Sequence, residues 1–447
     1  METEHQKSRH VHESRSSTAR KSDEITTNRS VGRIFSSLHN YNYRLYWFGQ
    51  LLSITGTWIA RIAQAWLVLD LTNSSFALGL VGALQFLPIT FFALFGGVLA
   101  DRFPKREVII ITQAMMGVQS LILAILISTG EIRVWHIYIL AMVLGLASAF
   151  GNPTRQAFIS EMVGPDNLPN AVALNSGLFN TARILGPAIG GALIAAFTID
   201  IPFYINAVSY LAVIGGLLLM RPAEFYDVPA PVRGRVMNRL REGIEYATKT
   251  PAVLLPLILM GFIGTFGYNF TVMLPLVAKY ILGTGALGFG GLMTALGIGS
   301  LVAAIGAAYL SRPTERLLLA GATAFSILLG LLAISSVFPL TIAILVILGV
   351  ASIAFTTTAN ARLQLTAPPE LRGRVMSLYI FLRAGTAPLG SLLLGALAQN
   401  VNVPVAVSTM AAICAVGVVL AWLYRSRHPG ESGSPHPRTV NEGAPGH

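Results

Sequence analysis

Apolar stretches of about 20 residues recur along the chain between short polar segments, each long enough to cross a hydrocarbon layer of about 30 Å as a helix rising 1.5 Å per residue. They fall at 46–69, 77–100, 107–128, 134–151, 170–197 and 202–220, and then at 252–278, 287–310, 317–336, 338–360, 375–399 and 403–424. Between the two sets lies a polar stretch from Arg221 to Lys249. The pattern predicts an all-α membrane protein with twelve transmembrane helices in two six-helix bundles. We refer to the runs as spans 1 to 12.

The division follows the pattern. Residues 1–44 form a polar tail, expected to be disordered and cytoplasmic; 45–221 form the first bundle, 222–250 a linker, 251–424 the second bundle, and 425–447 a second polar tail. In the linker, Val236, Leu240, Ile244 and Ala247 recur at helical spacing among charged residues. That spacing suits an interfacial helix on the cytoplasmic face, with a plain solvated connector as the alternative. Residues 1–40 hold no apolar stretch of signal-peptide length, so span 1 is expected to act as the insertion signal.

Charge changes the picture only through its placement. The chain carries 31 basic and 20 acidic residues in 447, a net +11, yet charged residues make up 11%, against about 25% in soluble domains. With both termini inside, the inner segments collect 26 basic residues and the outer loops two, Arg133 and Lys279. This asymmetry obeys the positive-inside rule and accounts for the basic balance without a nucleic-acid partner. The remaining three, Arg61, Arg183 and Arg383, lie within spans.

The halves repeat one another. Gly96, Arg102 and Arg106 match Gly306, Arg312 and Arg316 at an offset of 210; Asn152 and Gln156 match Asn360 and Gln364 at 208; Pro187 matches Pro388 at 201. Parallel repeats joined by a basic linker suit alternating access around a site near the membrane midplane.

Between spans 2 and 3 stands GGVLADRFPKRE, with Gly97, Asp101, Arg102, Lys105 and Arg106; on span 5 stands ARILGPAIGG, with Gly186, Pro187, Gly190 and Gly191. The first resembles motif A of the major facilitator superfamily and the second its motif C. GTWIARIAQAWLVLDLTNS and NPTRQAFISEMVGPDNLPNAVALNS resemble the branch that includes the enterobactin exporter, the transmembrane secretion effectors, with macrolide-efflux permeases as near relatives. The resemblance covers residues 44–424 and implies the major facilitator fold in a bacterial plasma membrane, multi-pass with both termini cytoplasmic, in a monomer. It also implies a motif A latch, export associated with motif C, and proton antiport. Pro104 stands where motif A has Gly, and Ala182 where motif C has its first Gly. Anchoring the topology is the alternative role for motif A, and small-residue helix packing for motif C.

An arginine at a helix centre costs at least about 2.5 kcal/mol and must face a cavity or a partner. Ser53, Thr57, Arg61 and Gln64 share one face of span 1, Asn180 and Arg183 one face of span 5, and Tyr379 and Arg383 one face of span 11. No Asp or Glu lies deep in a span to neutralise them. Thr57, Arg61, Gln64, Asn180, Arg183, Tyr379 and Arg383 are therefore expected to line a cationic cavity for anionic or polyphenolic small molecules. In the alternative reading, the arginines bond helix-end carbonyls and hold the bundle together. Residues 137–151 of span 4 carry no charge, so Asp70, at the outer end of span 1, and Glu161 are the candidate coupling groups; an interfacial role is the alternative for Asp70, and pairing with the motif A arginines for Glu161.

Other chemistry is disfavoured. One cysteine, Cys414, permits neither an internal disulfide nor a cysteine metal cluster, and GTGALG at 283–288 joins two apolar helices without the strand a dinucleotide fold needs. No GxxxxGK[ST] loop is present. No enzyme activity, metal or cofactor is expected. The sequence predicts a permease exporting a small siderophore-like, anionic or drug-like molecule, with a metabolite importer or a non-transporting scaffold or lipid-handling protein as alternatives.

Overall fold

A computed structural model describes residues 35–227, 236–309 and 313–427, and for 93–102, 236–240 and 307–309 the backbone alone. Among these residues the structure is helical throughout, without strands. Ten helices are long and apolar enough to cross a membrane. One of them, Val134–Ala196, is two crossings run together. The backbone leaves helical space at Gly164, whose φ of 71° and ψ of 173° suit a residue without a Cβ. Span 7 is a further crossing, assembled from shorter pieces. Twelve crossings result.

Span 1 is Tyr41–Thr72, span 2 Ser75–Arg102 and span 3 Lys105–Ser128; spans 4 and 5 lie on either side of Gly164, and span 6 is Ile201–Leu218. Span 7 comprises Pro251–Phe262, a π turn Ile263–Gly267, the helix Phe270–Leu276 and a second π turn Val277–Ile281. Spans 8, 9 and 10 are Ala286–Tyr309, Glu315–Ile334 and Phe338–Thr366. Span 11 runs Pro369–Ile380, a π turn Phe381–Gly385, and Ala387–Asn400; span 12 is Val403–Arg427. Below, the inner end of each span is the end beside the arginine-rich segments, and the outer end is its opposite.

Several expectations need correction. Span 4 does not end at 151: the helix continues through Pro153 to Gly164. Proline removes one backbone donor, here the one that would reach the Ala149 carbonyl, and a membrane helix tolerates that loss where its surroundings re-satisfy the backbone. One residue on, Thr154 Oγ1 donates to the Phe150 carbonyl at 2.8 Å. Residues 35–44, assigned to the tail, are structured. Ser36–His39 form a 3-10 turn, and Ser37 is tied to the inner end of span 5, its N–H donating to Asn170 Oδ1 (3.0 Å) and its hydroxyl to the Asn167 carbonyl (3.1 Å). Span 12 likewise extends past 424 to Arg427. The remainder of both tails, and linker residues 228–235, lie outside the described residues.

The linker helix is present as Val236–Lys249 and meets span 7 at a bend of 109°. Such an angle suits a helix lying along the inner face. It is fastened to span 11 by an ion pair between Glu242 and Arg374, and Gly243 packs against the Arg374 side chain. The halves meet along two seams, span 2 on span 11 and span 5 on span 8. These pairs exchange under the repeat, as an approximate two-fold between bundles requires.

Candidate functional site

The seams are tightest near the outer face, where glycines let backbones touch. A Cβ on Gly79 would stand 2.5 Å from the Ser391 carbonyl and 3.0 Å from Gly395 Cα. One on Gly191 would stand 2.8 Å from the Ala286 carbonyl and 3.1 Å from Gly290 Cα. Gly79 and Gly290 occupy matching places in the two repeats, as do Gly191 and Gly395. The same construction closes both seams.

Above these crossings, side chains of the second half cap helix ends of the first. Span 1 ends at Asn73, in the left-handed region at φ 48°. Lys279 Nζ donates to the Leu69 carbonyl (2.8 Å) and to Asn73 Oδ1 (2.7 Å), and Tyr280 Oη donates to the Asn73 carbonyl (3.0 Å). Gln399 Oε1 accepts from the Ser75 N–H (2.9 Å) and the Ser74 hydroxyl (3.0 Å) at the start of span 2. A cation thus sits at a helix C-terminus and an acceptor at a helix N-terminus, each complementing the local dipole. Caps of this kind are worth about 1 kcal/mol each. The double variant Lys279→Met/Gln399→Leu is expected to shift the closed-to-open balance of the outer face by about 30-fold, or about 2 kcal/mol. Spin-label distances between the outer ends of spans 1 and 7 check this; an unchanged distribution would remove the capping role.

Deeper in the seams, Thr90 Oγ1 donates to the Gly385 carbonyl (2.7 Å) and Thr294 Oγ1 to the Ile184 carbonyl (3.2 Å). From that level to the inner end, no hydrogen bond or ion pair joins the halves among the described residues. The inner half of span 5 exposes Val172, Ser176 and Phe179, which share the face of Arg183. Among the described residues, the two halves are joined at the outer end of the cleft and not at its inner end.

Arg61 stands at the blind end of this cleft. Its guanidinium lies over the Trp58 ring, 4.9 Å from the centroid. Among the described residues it forms no ion pair, and its Nε is buried without a hydrogen-bond partner. Gln64, on the same face of span 1 and 6% exposed, leaves Nε2 unpaired as well. These two residues border two cavities. One, of about 40 Å³, lies between the halves, with Gln85 and Phe86 of span 2 and Thr271 and Val272 of span 7. The other, of about 10 Å³, lies within the first bundle, bounded by Thr57, Gln119, Asn206 and Tyr210. Thr57 spends its hydroxyl hydrogen on the Ser53 carbonyl (2.8 Å), so at 3.0 Å the Tyr210 hydroxyl is the donor to Thr57.

Arg183 donates to Asn180 Oδ1 at 3.0 Å, and the like charge of Arg383 acts on it from the opposite half. Arg383 is exposed on the π turn of span 11, where one extra residue per turn shifts the register. That shift separates it from Tyr379, contrary to the shared face expected from a regular helix. Tyr379 is 2% exposed and donates to the Thr356 carbonyl at 3.2 Å, inside the second bundle rather than on the cleft. A fourth arginine was missed because span 4 was ended at 151, short of Pro153. Arg155 donates to Asn152 and, at 3.5 Å, to Gln50 Oε1, and its charge acts on Arg61 within the first bundle. The signal available was the run of helix-compatible residues on both sides of that proline.

The side chains of Gly97, Asp101 and Arg102 lie outside the described residues. Among the described residues, Glu161 is engaged by the motif A lysine, Lys105, at 2.5 Å. Arg106 donates from Nε to the Leu217 carbonyl (2.7 Å) and from Nη2 to the Leu218 carbonyl (3.2 Å), ending span 6. Charges reverse in the second half: Glu315, matching Lys105, accepts from Arg362 (3.5 Å) and Arg425 (2.6 Å). Asp70 is exposed at the outer mouth. On span 5, Gly186 packs on Trp58 and Gly190 on Ile59 and Ile62 of span 1, while Gly191 packs on Gly290 of span 8. The buried Pro187 puts its carbonyl beside Gly290.

Comparison with known proteins follows the same line. A family model described as transmembrane secretion effector matches residues 33–439. The chain is 25% identical to the staphyloferrin A transporter of Staphylococcus aureus, over 78% of its own length and 88% of the relative's. It is 26% identical to the multidrug efflux pump Tap of Mycolicibacterium fortuitum, over 85% and 95% of the two lengths. It is 23% identical to the enterobactin exporter of Shigella flexneri, over 85% and 90%. Among solved structures, the peptide transporter POT superposes with a TM-score of 0.69 at 13% identity, covering 86% of this chain and 94% of that one. That likeness concerns the fold.

Proposed function

Because the chain belongs to the transmembrane secretion effectors of the major facilitator superfamily, we propose that it exports anionic small molecules by rocking its two halves around the cleft, against an inward movement of protons. The chain is a multi-pass membrane transporter, not an enzyme. The proposal adds direction, substrate charge and coupling. It places the arginine-rich ends in the cytoplasm of a bacterium, with both termini inside and each monomer complete, since the cleft lies between halves of one chain.

The observation that carries the substrate charge is Arg61: a cation at the blind end of the cleft, with no ion-pair partner among the described residues. Arg183 and Arg383 add two like charges across the same cleft, with Thr57, Gln64 and Asn180 beside them. A cluster of cations within the membrane, without acidic partners among the described residues, draws negative charge from a ligand. Relatives named for a staphyloferrin and for enterobactin support a siderophore-like acid, and a relative named for multidrug efflux supports a foreign one. Motif C favours export over import: Gly186, Pro187, Gly190 and Gly191 bind span 5 to spans 1 and 8, where the outer face closes. In the cycle, Asp70 at the outer mouth and Glu161 at the inner one are the proposed proton-handling groups. The motif A residues Gly97, Asp101, Arg102, Lys105 and Arg106 latch the inner face when the outer one opens.

Inverted membrane vesicles from overexpressing cells test this reading. With respiration acidifying the lumen, they are expected to accumulate anions from a host small-molecule extract, followed by mass spectrometry. Nigericin with potassium, which collapses the pH difference, is expected to abolish that accumulation. Accumulation that survives nigericin would reject proton antiport, and release from preloaded vesicles without accumulation would reject export in favour of import.

A further inference from the structure

The arginines of the cleft need compensation when no substrate is bound, and the first bundle holds the elements of a separate site for it. Arg61 and Gln64 border both the cavity between the halves and the chamber inside the first bundle. Both present buried nitrogen donors, Arg61 Nε and Gln64 Nε2, that meet no acceptor. Such donors left unpaired cost more than a hydrogen bond returns. None of the six ion pairs among the described residues includes Arg61. The chamber, about 10 Å³, admits about one water, and the cavity of about 40 Å³ beside it has room for a small ion. One side carries the cation and the amide donor. On the other, Asn206 Oδ1 is buried and unpaired, and a water can meet it while bonding the occupant.

We propose that Arg61 and Gln64 hold a small monovalent inorganic anion, of the halide class, at the junction of the two cavities, and that an anionic substrate entering the cleft displaces it. Charge and size select this class. A single delocalised cation with one amide donor neutralises one negative charge. A carboxylate-bearing metabolite needs the wider cavity between the halves, whereas the inner chamber is closed off by Leu144, Phe203 and Tyr210. Trp58, stacked on Arg61, gives the site an optical reporter. The displacement rests on the export reading above; binding of the anion does not.

Bromide is the probe. The purified full-length chain, in detergent without substrate, is expected to show saturable quenching of tryptophan fluorescence by bromide, with chloride competing. Trp58→Phe is expected to remove the saturable part. Arg61→Gln is expected to abolish saturation, and Gln64→Leu to weaken bromide at least about tenfold, the size of one charge-assisted hydrogen bond. Crystals grown in bromide are expected to carry an anomalous peak within hydrogen-bond reach of Arg61 and Gln64. Linear quenching that is identical in wild type and Arg61→Gln, or ordered crystals without the peak, would overturn the proposal and assign the chamber to water. If vesicle export fails while bromide saturates, the site stands and the transport reading falls.

Discussion

Arg61→Gln is expected to lower export of an anionic substrate by about 100-fold while leaving the protein at least as resistant to heat. A guanidinium meeting an anion offers two charge-assisted hydrogen bonds of about 1.5 kcal/mol each, and 3 kcal/mol is about two orders of magnitude. Glutamine retains a donor but not the charge. Stability is expected to hold because, among the described residues, Arg61 forms no ion pair whose other member would be left exposed, and removing an unpaired buried charge relieves a cost. Initial export rates for one anionic and one cationic compound, with the melting temperature of the purified variant, check both parts. Equal loss for both compounds with a lower melting temperature would make Arg61 a strut of the bundle instead.

Gly191→Leu is expected to reduce transport to background by a different route. Its Cβ has no room beside the Ala286 carbonyl and Gly290 Cα, and both obstacles are backbone, which cannot rotate aside. Overpacking of this kind costs about 1–3 kcal/mol, and here it falls wholly on the state whose outer face is closed. The variant is expected to fold, to reach the membrane, and to rest with that face open. Gly177→Leu is the control: it lies on the same span with nothing within 4 Å of its Cβ position, and transport is expected to persist. Spin-label distances across span 5 and span 8 separate the two. Normal closure in Gly191→Leu would show that the seam is looser than its backbone spacing indicates.

Much of this was legible in the sequence because membrane helices write their length into the chain. Uninterrupted apolar runs and matching residues at offsets near 210 gave the crossings and the repeat, and the arginine asymmetry carries the proposed orientation. Reading failed where backbone geometry departs from a regular helix. Span 4 was ended at 151, although a membrane helix absorbs a proline such as Pro153 and runs on, and Arg155 was lost with it. Span 11 was read at 3.6 residues per turn, and its π turn moved Arg383 onto the cleft while turning Tyr379 away. Span 7 looked like one helix and is four pieces, with Pro275 inside the third. The outer caps were not legible, since Lys279 and Gln399 act on helix ends some 200 and 324 residues distant in sequence. By contrast, Arg61 and Gln64 were found by spacing alone, because span 1 is regular from Tyr41 to Thr72.

The most direct test of export itself is an untargeted comparison of intracellular and extracellular small molecules between a deletion strain and an overexpressing strain, including growth under iron limitation. The account predicts an anionic compound that accumulates inside the deletion strain and is enriched outside on overexpression. The reverse pattern, with the compound depleted from the deletion strain and drawn from the medium on overexpression, would contradict it and identify an importer.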